Sequence, residues 1–212
     1  MLKPLGESSN DKRQTTNHER PFRVSAIILA AGESRRMGRP KLLLPYKGVP
    51  LLRRSVDAAV GGGCRDVVVV LGADRDRYEA QLAGTPARIA YNPDYVEGMS
   101  GSIRCGIEAL SPDVQAAVIM LADQPFIDAG IVRRLIETYQ TSGMRIVACQ
   151  YGSVRGVPTL FDRALFLELL LLGGDQGARQ VMETYPRHVT AIEIPPEAAR
   201  DVDRPEDLPL LE

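Results

Sequence analysis

The stretch LAAGESRRMGRPK, residues 29–41, places two glycines, three arginines and a lysine directly after the apolar residues Val24 and Ala26 to Leu29. Glycine lets main-chain N–H groups approach a ligand closely, and a turn of amides ahead of a helix start is an anion cradle. Arg35, Arg36 and Lys41 add fixed positive charge, and an arginine can hold phosphate oxygens through two parallel hydrogen bonds. The loop around Gly32 and Gly38 is therefore suited to a polyphosphate. It is not a Walker A loop, because five residues separate the glycines and Lys41 trails by three, and it is not GxGxxG. Taken alone, a solvated basic turn that happens to contain glycines would read the same way.

Polyphosphate chemistry calls for a cation, and Mg²⁺ usually takes one or two carboxylates and keeps several waters. Lone aspartates at strand ends are the residues to look for. Asp123 in LADQP follows the buried run AAVIMLAD, and Pro125 ends the extended segment. Near the C-terminus, DVDRPEDL (201–208) offers Asp201 and Asp203. An ordinary polar turn explains that segment equally well, with Pro205 at a helix N1 position and Glu206 and Asp207 at the positive helix end.

The loop closely resembles the signature of the MobA-like NTP transferases, the nucleotidyltransferase family typified by molybdenum-cofactor cytidylyltransferase and its guanylyl relative. The pattern L-x-A-G-x-S-x-R-M-G-x-x-K is met at Leu29, Ala31, Gly32, Ser34, Arg36, Met37, Gly38 and Lys41. NPDYVEGMSGSI (92–103) resembles the family's N-x-x-[WY]-x-x-G-M-x-x-S-[LI], and DVDRPEDL its D-[IV]-D-x-P-E-D-L. GGDQGAR (173–179) resembles the G-D-x-G-A-R segment of the molybdopterin branch. In GSVRGVP (152–158), Val157 stands where many relatives carry His, which removes one acceptor contact. The likeness runs from about residue 24 to residue 208.

The resemblance implies a Mg²⁺-dependent transfer of CMP from CTP to the phosphate of a molybdopterin-type cofactor, with release of pyrophosphate. Arg36, Lys41 and Asp123 would be catalytic. The nucleotide would be held by Leu29, Ala30, Ala31, Gly32, Ser34, Arg35, Gly38 and Lys41, together with Gly98 and Ser102. Asp123 and Asp203 would hold the metal, with Asp203 preferred to Asp201 because it occupies the position before x-P-E-D. Ser100, Arg155, Gly177 and Arg179 would meet the acceptor. Guanylyl-transferring relatives read L-x-G-G at the end of the first strand, whereas cytidylyl relatives carry Ala-Ala-Gly, as here. The methyls of Ala30 and Ala31 would narrow the floor under the base and favour the smaller pyrimidine. A terminal phosphate is largely ionised at neutral pH (second pKa about 6), so no strong general base is needed. Two alternatives stay open. One is transfer to another phosphate, such as a methylerythritol phosphate; the other is a non-catalytic carrier that delivers cofactor to an apo-molybdoenzyme or its chaperone. A degenerate carrier should have lost Lys41, Asp123 or Asp203, and all are present.

These residues need a scaffold. The 212 residues are 44% hydrophobic, enough for one globular domain with a full core, expected over 22–212. Residues 1–21 are polar, lack an apolar signal region and read as a disordered tail. Lys plus Arg is 26 against Asp plus Glu 27, so no global field recruits nucleic acid or a membrane surface. Three cysteines in no CxxC pairing argue against a disulfide framework or structural zinc and fit a reducing cytoplasm. No apolar run approaches the roughly 20 residues of a membrane span.

Strand signals at 24–30, 66–72, 87–91, 116–123, 144–150 and 188–194 alternate with helix signals at 52–60, 74–83, 100–110, 131–139, 162–172 and 176–185. Residues 151–160 read as a turn-rich connection. The alternation predicts a single-domain three-layer αβα sandwich with a mostly parallel sheet, a Rossmann-like nucleotidyltransferase fold. In such sheets ligands bind beyond the carboxyl ends of the strands. The basic loop and Asp123 both leave strands at that edge.

Overall fold

The computed structural model describes residues 22–211, so the tail expected over 1–21 lies outside the described residues. In chain order the elements are β1 (Val24–Ala30), two-residue strands β2 (Pro45–Tyr46) and β3 (Val49–Pro50), α1 (Leu51–Gly61), β4 (Asp66–Leu71), α2 (Arg75–Leu82) and β5 (Arg88–Tyr91). Then come α3 (Met99–Glu108), β6 (Ala116–Leu121), α4 (Ala129–Ser142), β7 (Ile146–Tyr151), β8 (Val154–Asp162), α5 (Phe166–Leu170), α6 (Arg179–Thr184) and β9 (Val189–Glu193). A 3₁₀ helix, Pro205–Leu211, follows.

Seven strands form one sheet in the order β5-β4-β1-β6-β8-β7-β9. β1 runs parallel to both β4 and β6, β4 to β5, and β7 to β9, while β8 is antiparallel to β6 and β7. Side chains alternate across a strand, so a sheet covered on both faces needs near-continuous apolar strands. Ala26 and Ile28 of β1 pack with Leu52 and Val56 of α1 and Val132 and Leu135 of α4. Ile27 faces the other way, toward Ile103 and Ile107 of α3, in the cluster that also holds Leu169 of α5 and Met182 of α6. Helices on both faces make the three-layer sandwich expected from the alternation. All three cysteines are free thiols, and among the described residues no helix is long and apolar enough to cross a membrane.

The turn-rich reading of 151–160 is corrected: only the Gly152–Ser153 region turns, and Val154–Asp162 is a nine-residue strand. Gly156 and Pro158 gave a turn signal because both disfavour regular strands. The structure tolerates them at an irregularity. β7 pairs Ala148 with Thr159 but Cys149 with Gly156, so Val157 and Pro158 bulge out of the ladder where a missing N–H is not needed. The helices expected over 162–172 and 176–185 shrink to α5 and α6, and the β2–β3 hairpin carried too few residues to leave a periodic signal.

The close seating of α3 on β1 depends on Gly106, where an added Cβ would stand 2.3 Å from Ile27 Cγ2. Gly106→Val should lower stability by about 1–3 kcal/mol, the range for overpacking a filled core. A shift of the urea midpoint with unchanged slope is the expected reading; an unchanged midpoint would show that α3 can move away freely.

Candidate functional site

The basic loop leaves β1 and is fastened at three points. Ala31 carbonyl accepts from the Ala73 N–H at 3.1 Å, Ser34 carbonyl accepts from the N–H groups of Met37 (3.0 Å) and Gly38 (3.1 Å), and Ser34 Oγ accepts from Lys41 N–H at 3.2 Å. Ser34 (φ +54°) and Gly38 (φ +70°) take the left-handed backbone this turn requires. Gly32 does not; an added Cβ there would meet nothing within 4 Å, so that glycine leaves space beside the loop. Met37 is buried with Tyr46, Leu51 and Val202, an apolar anchor that also draws the C-terminal segment under the loop.

Three distant residues meet at this anchor. Lys41 Nζ donates to Asp123 Oδ2 at 2.6 Å and to Asp203 Oδ1 at 2.9 Å. Arg36 pairs with the other oxygen of Asp203. The backbone enforces the meeting, because Val202 N–H donates to the Asp123 carbonyl at 2.9 Å. Asp207 then caps the turn by accepting from Asp203 N–H (2.9 Å) and Arg204 N–H (2.8 Å), so the polar-turn reading of DVDRPEDL holds as well. The side chains of Lys41 and Asp123 are only 12% and 17% exposed. Burial opposes the charge on Lys41, yet Asp123 and then Asp203 outweigh it and raise its pKa. Asp203 is held below the usual carboxylate range, chiefly by its hydrogen bond from Lys41 and also by Arg36. Asp201 behaves oppositely: burial, then the nearby charge of Asp123, push it up to about 6.

Among the described residues no group of three or more His, Cys, Asp or Glu side chains could hold a metal. Asp123 and Asp203 form a two-carboxylate site, and Asp123 Oδ1 is buried without a hydrogen-bond partner. That orphaned oxygen beside a second carboxylate fits a divalent cation that draws its remaining ligands from water and phosphate. The ammonium of Lys41 already satisfies both carboxylates, so a divalent cation must compete with it.

Two cavities border this cluster and a third adjoins the first of them. The first, about 360 Å³, is bordered by Leu29, Ala30, Ala31, Gly32, Gly98 and Ser102, and reaches Lys41 and Asp123. The second, about 380 Å³, lies along Ser34, Arg35, Arg36, Lys41 and Asp203. The third, about 340 Å³, is bordered by Arg155, Gly177, Arg179, Gln124 and Asp201, and shares Leu29, Met99, Leu121 and Asp175 with the first. Gly38 and Ser100 border none of the three. Ser100 is buried, and its N–H holds the loop carbonyl of Gly174 at 3.2 Å. Arg35 is paired with Glu33, which also accepts from Tyr95 OH at 3.2 Å; Arg179 is paired with Glu183 at 3.0 Å. Arg155 has no ion-pair partner among the described residues. Tyr95, Asp175 and Gln124 also border these cavities without having been singled out: Tyr95 and Asp175 are fixed positions of the quoted patterns to which no role was given, and Gln124 stands beside the more telling Asp123.

Replacing the shared cation isolates its contribution. Lys41→Met should destabilise the protein by about 1–3 kcal/mol, the size expected when buried charge loses its partner. Adding Asp123→Asn should recover part of that loss rather than deepen it. Denaturant titration of the two single variants and the double variant gives the coupling; strict additivity would mean that the three groups do not act as a unit.

The comparisons with known proteins agree with this geometry. The model of the MobA-like NTP transferase domain matches residues 26–190. Nicotine blue oxidoreductase of Paenarthrobacter nicotinovorans is 33% identical over 195 residues, 87% of this chain and 94% of that protein. Molybdenum cofactor cytidylyltransferase of Escherichia coli is 24% identical over 184 residues, 87% of this chain and 93% of that protein. The crystal structure of Rv0371c from Mycobacterium tuberculosis H37Rv aligns with a TM-score of 0.78 and 30% identity, covering 90% of this chain and 97% of that one. Its complex with manganese aligns with a TM-score of 0.72 and 28% identity, covering 90% and 98%. A glycine-rich basic loop at the head of a parallel sheet, matched along more than half its length by one family model, makes this chain a member of the MobA-like NTP transferase family.

Proposed function

We propose that the chain transfers the cytidylyl group of CTP to the phosphate of a molybdopterin-type cofactor and releases pyrophosphate. The observation that carries this reading is the ammonium of Lys41 bracketed by Asp123 and Asp203 where the first and second cavities meet, with the third opening off the first along Leu29, Met99 and Leu121. The first cavity suits base and ribose, with Ala30 and Ala31 at its floor favouring a pyrimidine. The second suits the triphosphate, since Gly32 opens the loop backbone and Arg35, Arg36 and Lys41 supply compensating charge. The third suits the acceptor, with Arg155 and Arg179 at its border.

A bound divalent cation would neutralise phosphate charge and help the leaving pyrophosphate depart; Asp123 and Asp203 are the residues to hold it. An acceptor phosphate oxygen forms its bond to the α-phosphorus as the bond between that phosphorus and the bridging β-oxygen breaks. Such transfers rest on positioning and electrostatic stabilisation more than on a side-chain nucleophile. Lys41, kept cationic by its two carboxylates, is placed to follow the charge onto the phosphates.

A second reading, an oxidoreductase, is favoured by one observation: a relative named nicotine blue oxidoreductase matches 87% of this chain. Turnover of nicotine blue with an added reductant tests it directly, and would proceed without pyrophosphate release.

Under the transfer reading, Mg²⁺ and molybdopterin-type cofactor should give pyrophosphate release well above background with CTP, and much less with GTP, ATP or UTP. Strong release with GTP would overturn the base assignment. Silence with all four, while CTP–Mg²⁺ still binds, would favour a different acceptor or a carrier role. Asp123→Ala should lower turnover on the order of 10²–10³-fold, as loss of one preorganised electrostatic partner does. A carrier would keep delivering cofactor after the same substitution.

A further inference from the structure

Gln124 is a residue that the family motif passes over. It follows Asp123 at the end of β6, is 8% exposed, and borders the third cavity. Its side-chain oxygen Oε1 is buried and has no hydrogen-bond partner. Buried polar atoms are almost always paired, and an exception asks for an explanation. The other end of the amide lies on the side of the Asp201 carboxyl, whose ionised form it favours. Turning the amide over would set oxygen against oxygen, so Asp201 fixes which end is which.

The rest of that cavity is largely apolar, with Leu29, Ile119, Leu121 and Met182 in its wall, and Arg155 and Arg179 at its border. An occupant thus meets an apolar wall and the Gln124 amide, with Asp175 and Asp201 as well as Arg155 and Arg179 at the border. A flat heterocycle with a ring-edge N–H donor and an anionic substituent has that chemistry. A hydroxyl-rich aliphatic phosphate would leave most of the wall unmatched.

We propose that Gln124 is a specificity-determining residue of this cavity, its carboxamide oxygen taking a hydrogen bond from a ring-edge N–H of the acceptor. The inference rests on the third cavity being the acceptor's place under the transfer reading, and it deepens that reading by naming what the cavity selects. Specificity of this kind works mainly by rejection, since an analogue without the donor leaves the buried oxygen unpaired.

Pterin-6-carboxylate is a suitable probe: it carries a ring N–H and an anionic group, and its own fluorescence reports binding without turnover. The parent protein should bind it about tenfold more tightly than its 3-methyl analogue, which lacks the ring N–H, as a net hydrogen bond of about 1.4 kcal/mol implies. Gln124→Met should bind both alike, at the level of the methylated analogue. Circular dichroism and the unfolding midpoint check that the variant is folded; the comparison of the two ligands on the parent protein needs no variant. Equal binding of the two pterins by the parent, no binding of either, or retained discrimination in Gln124→Met each overturns the proposal. Failure of the transfer reading shows elsewhere, as absent pyrophosphate release, and leaves these dissociation constants to be read independently.

Discussion

One ammonium group ties together three stretches of chain that are far apart in sequence. Lys41 ends the loop after β1, Asp123 follows β6, and Asp203 lies beyond the last strand. Two carboxylates drawn together in a partly buried place repel unless a cation stands between them. The neighbouring structure follows from that requirement. Met37 and Val202 bury together so that the loop and the C-terminal segment approach, and the Val202 N–H seals the segment onto the Asp123 carbonyl. The cluster is therefore both a folding device and an electrostatic one.

The sheet decides where the cluster forms. β1 lies between β4 and β6, so connections leave its carboxyl end toward both sides and open a crevice there. Leu29 of β1 pairs with Leu121 of β6, which sets the start of the basic loop and Asp123 side by side at the same edge. The antiparallel insertion of β8 between β6 and β7 gives the crevice a second compartment. It brings Arg155 and Val157 to the same side as Gln124, whereas a continued parallel order would have required another crossover helix over that space.

Much of this was legible in the sequence. The loop was readable because glycine, arginine and lysine at fixed spacing directly follow an apolar run, and the parallel strands because β-branched runs alternate with helical periodicity. β8 was not, because its glycine and proline are punctuation in one dimension and a tolerated bulge in three. Ser34 shows the same limit: a serine does not announce a left-handed backbone, yet it takes one along with Gly38, and its hydroxyl accepts from the Lys41 N–H. Asp201 and Asp203 could be told apart only through the family pattern, by the position before x-P-E-D, and not by residue type. Only the turn capped by Asp207 sends one carboxylate to the ammonium and leaves the other beside Gln124.

That separation of Asp201 from Asp203 gives two neighbouring carboxylates opposite electrostatic settings. The one paired with Lys41 and Arg36 is held below the usual carboxylate range. The one bordering the third cavity is pushed up to about 6 by burial and by Asp123, so its charge is the more readily lost of the two as pH falls. Positive charge is divided in a similar way, with Lys41 and Arg36 fixed at the cluster and Arg155 standing at the far side of the adjoining cavity. Leu29, Met99 and Leu121 form an apolar partition where the two cavities meet, beside Asp175. Low polarity at that partition strengthens every nearby charge interaction. The charged cluster therefore faces the first cavity through Lys41 and Asp123, while the third cavity is bordered by Asp201 instead.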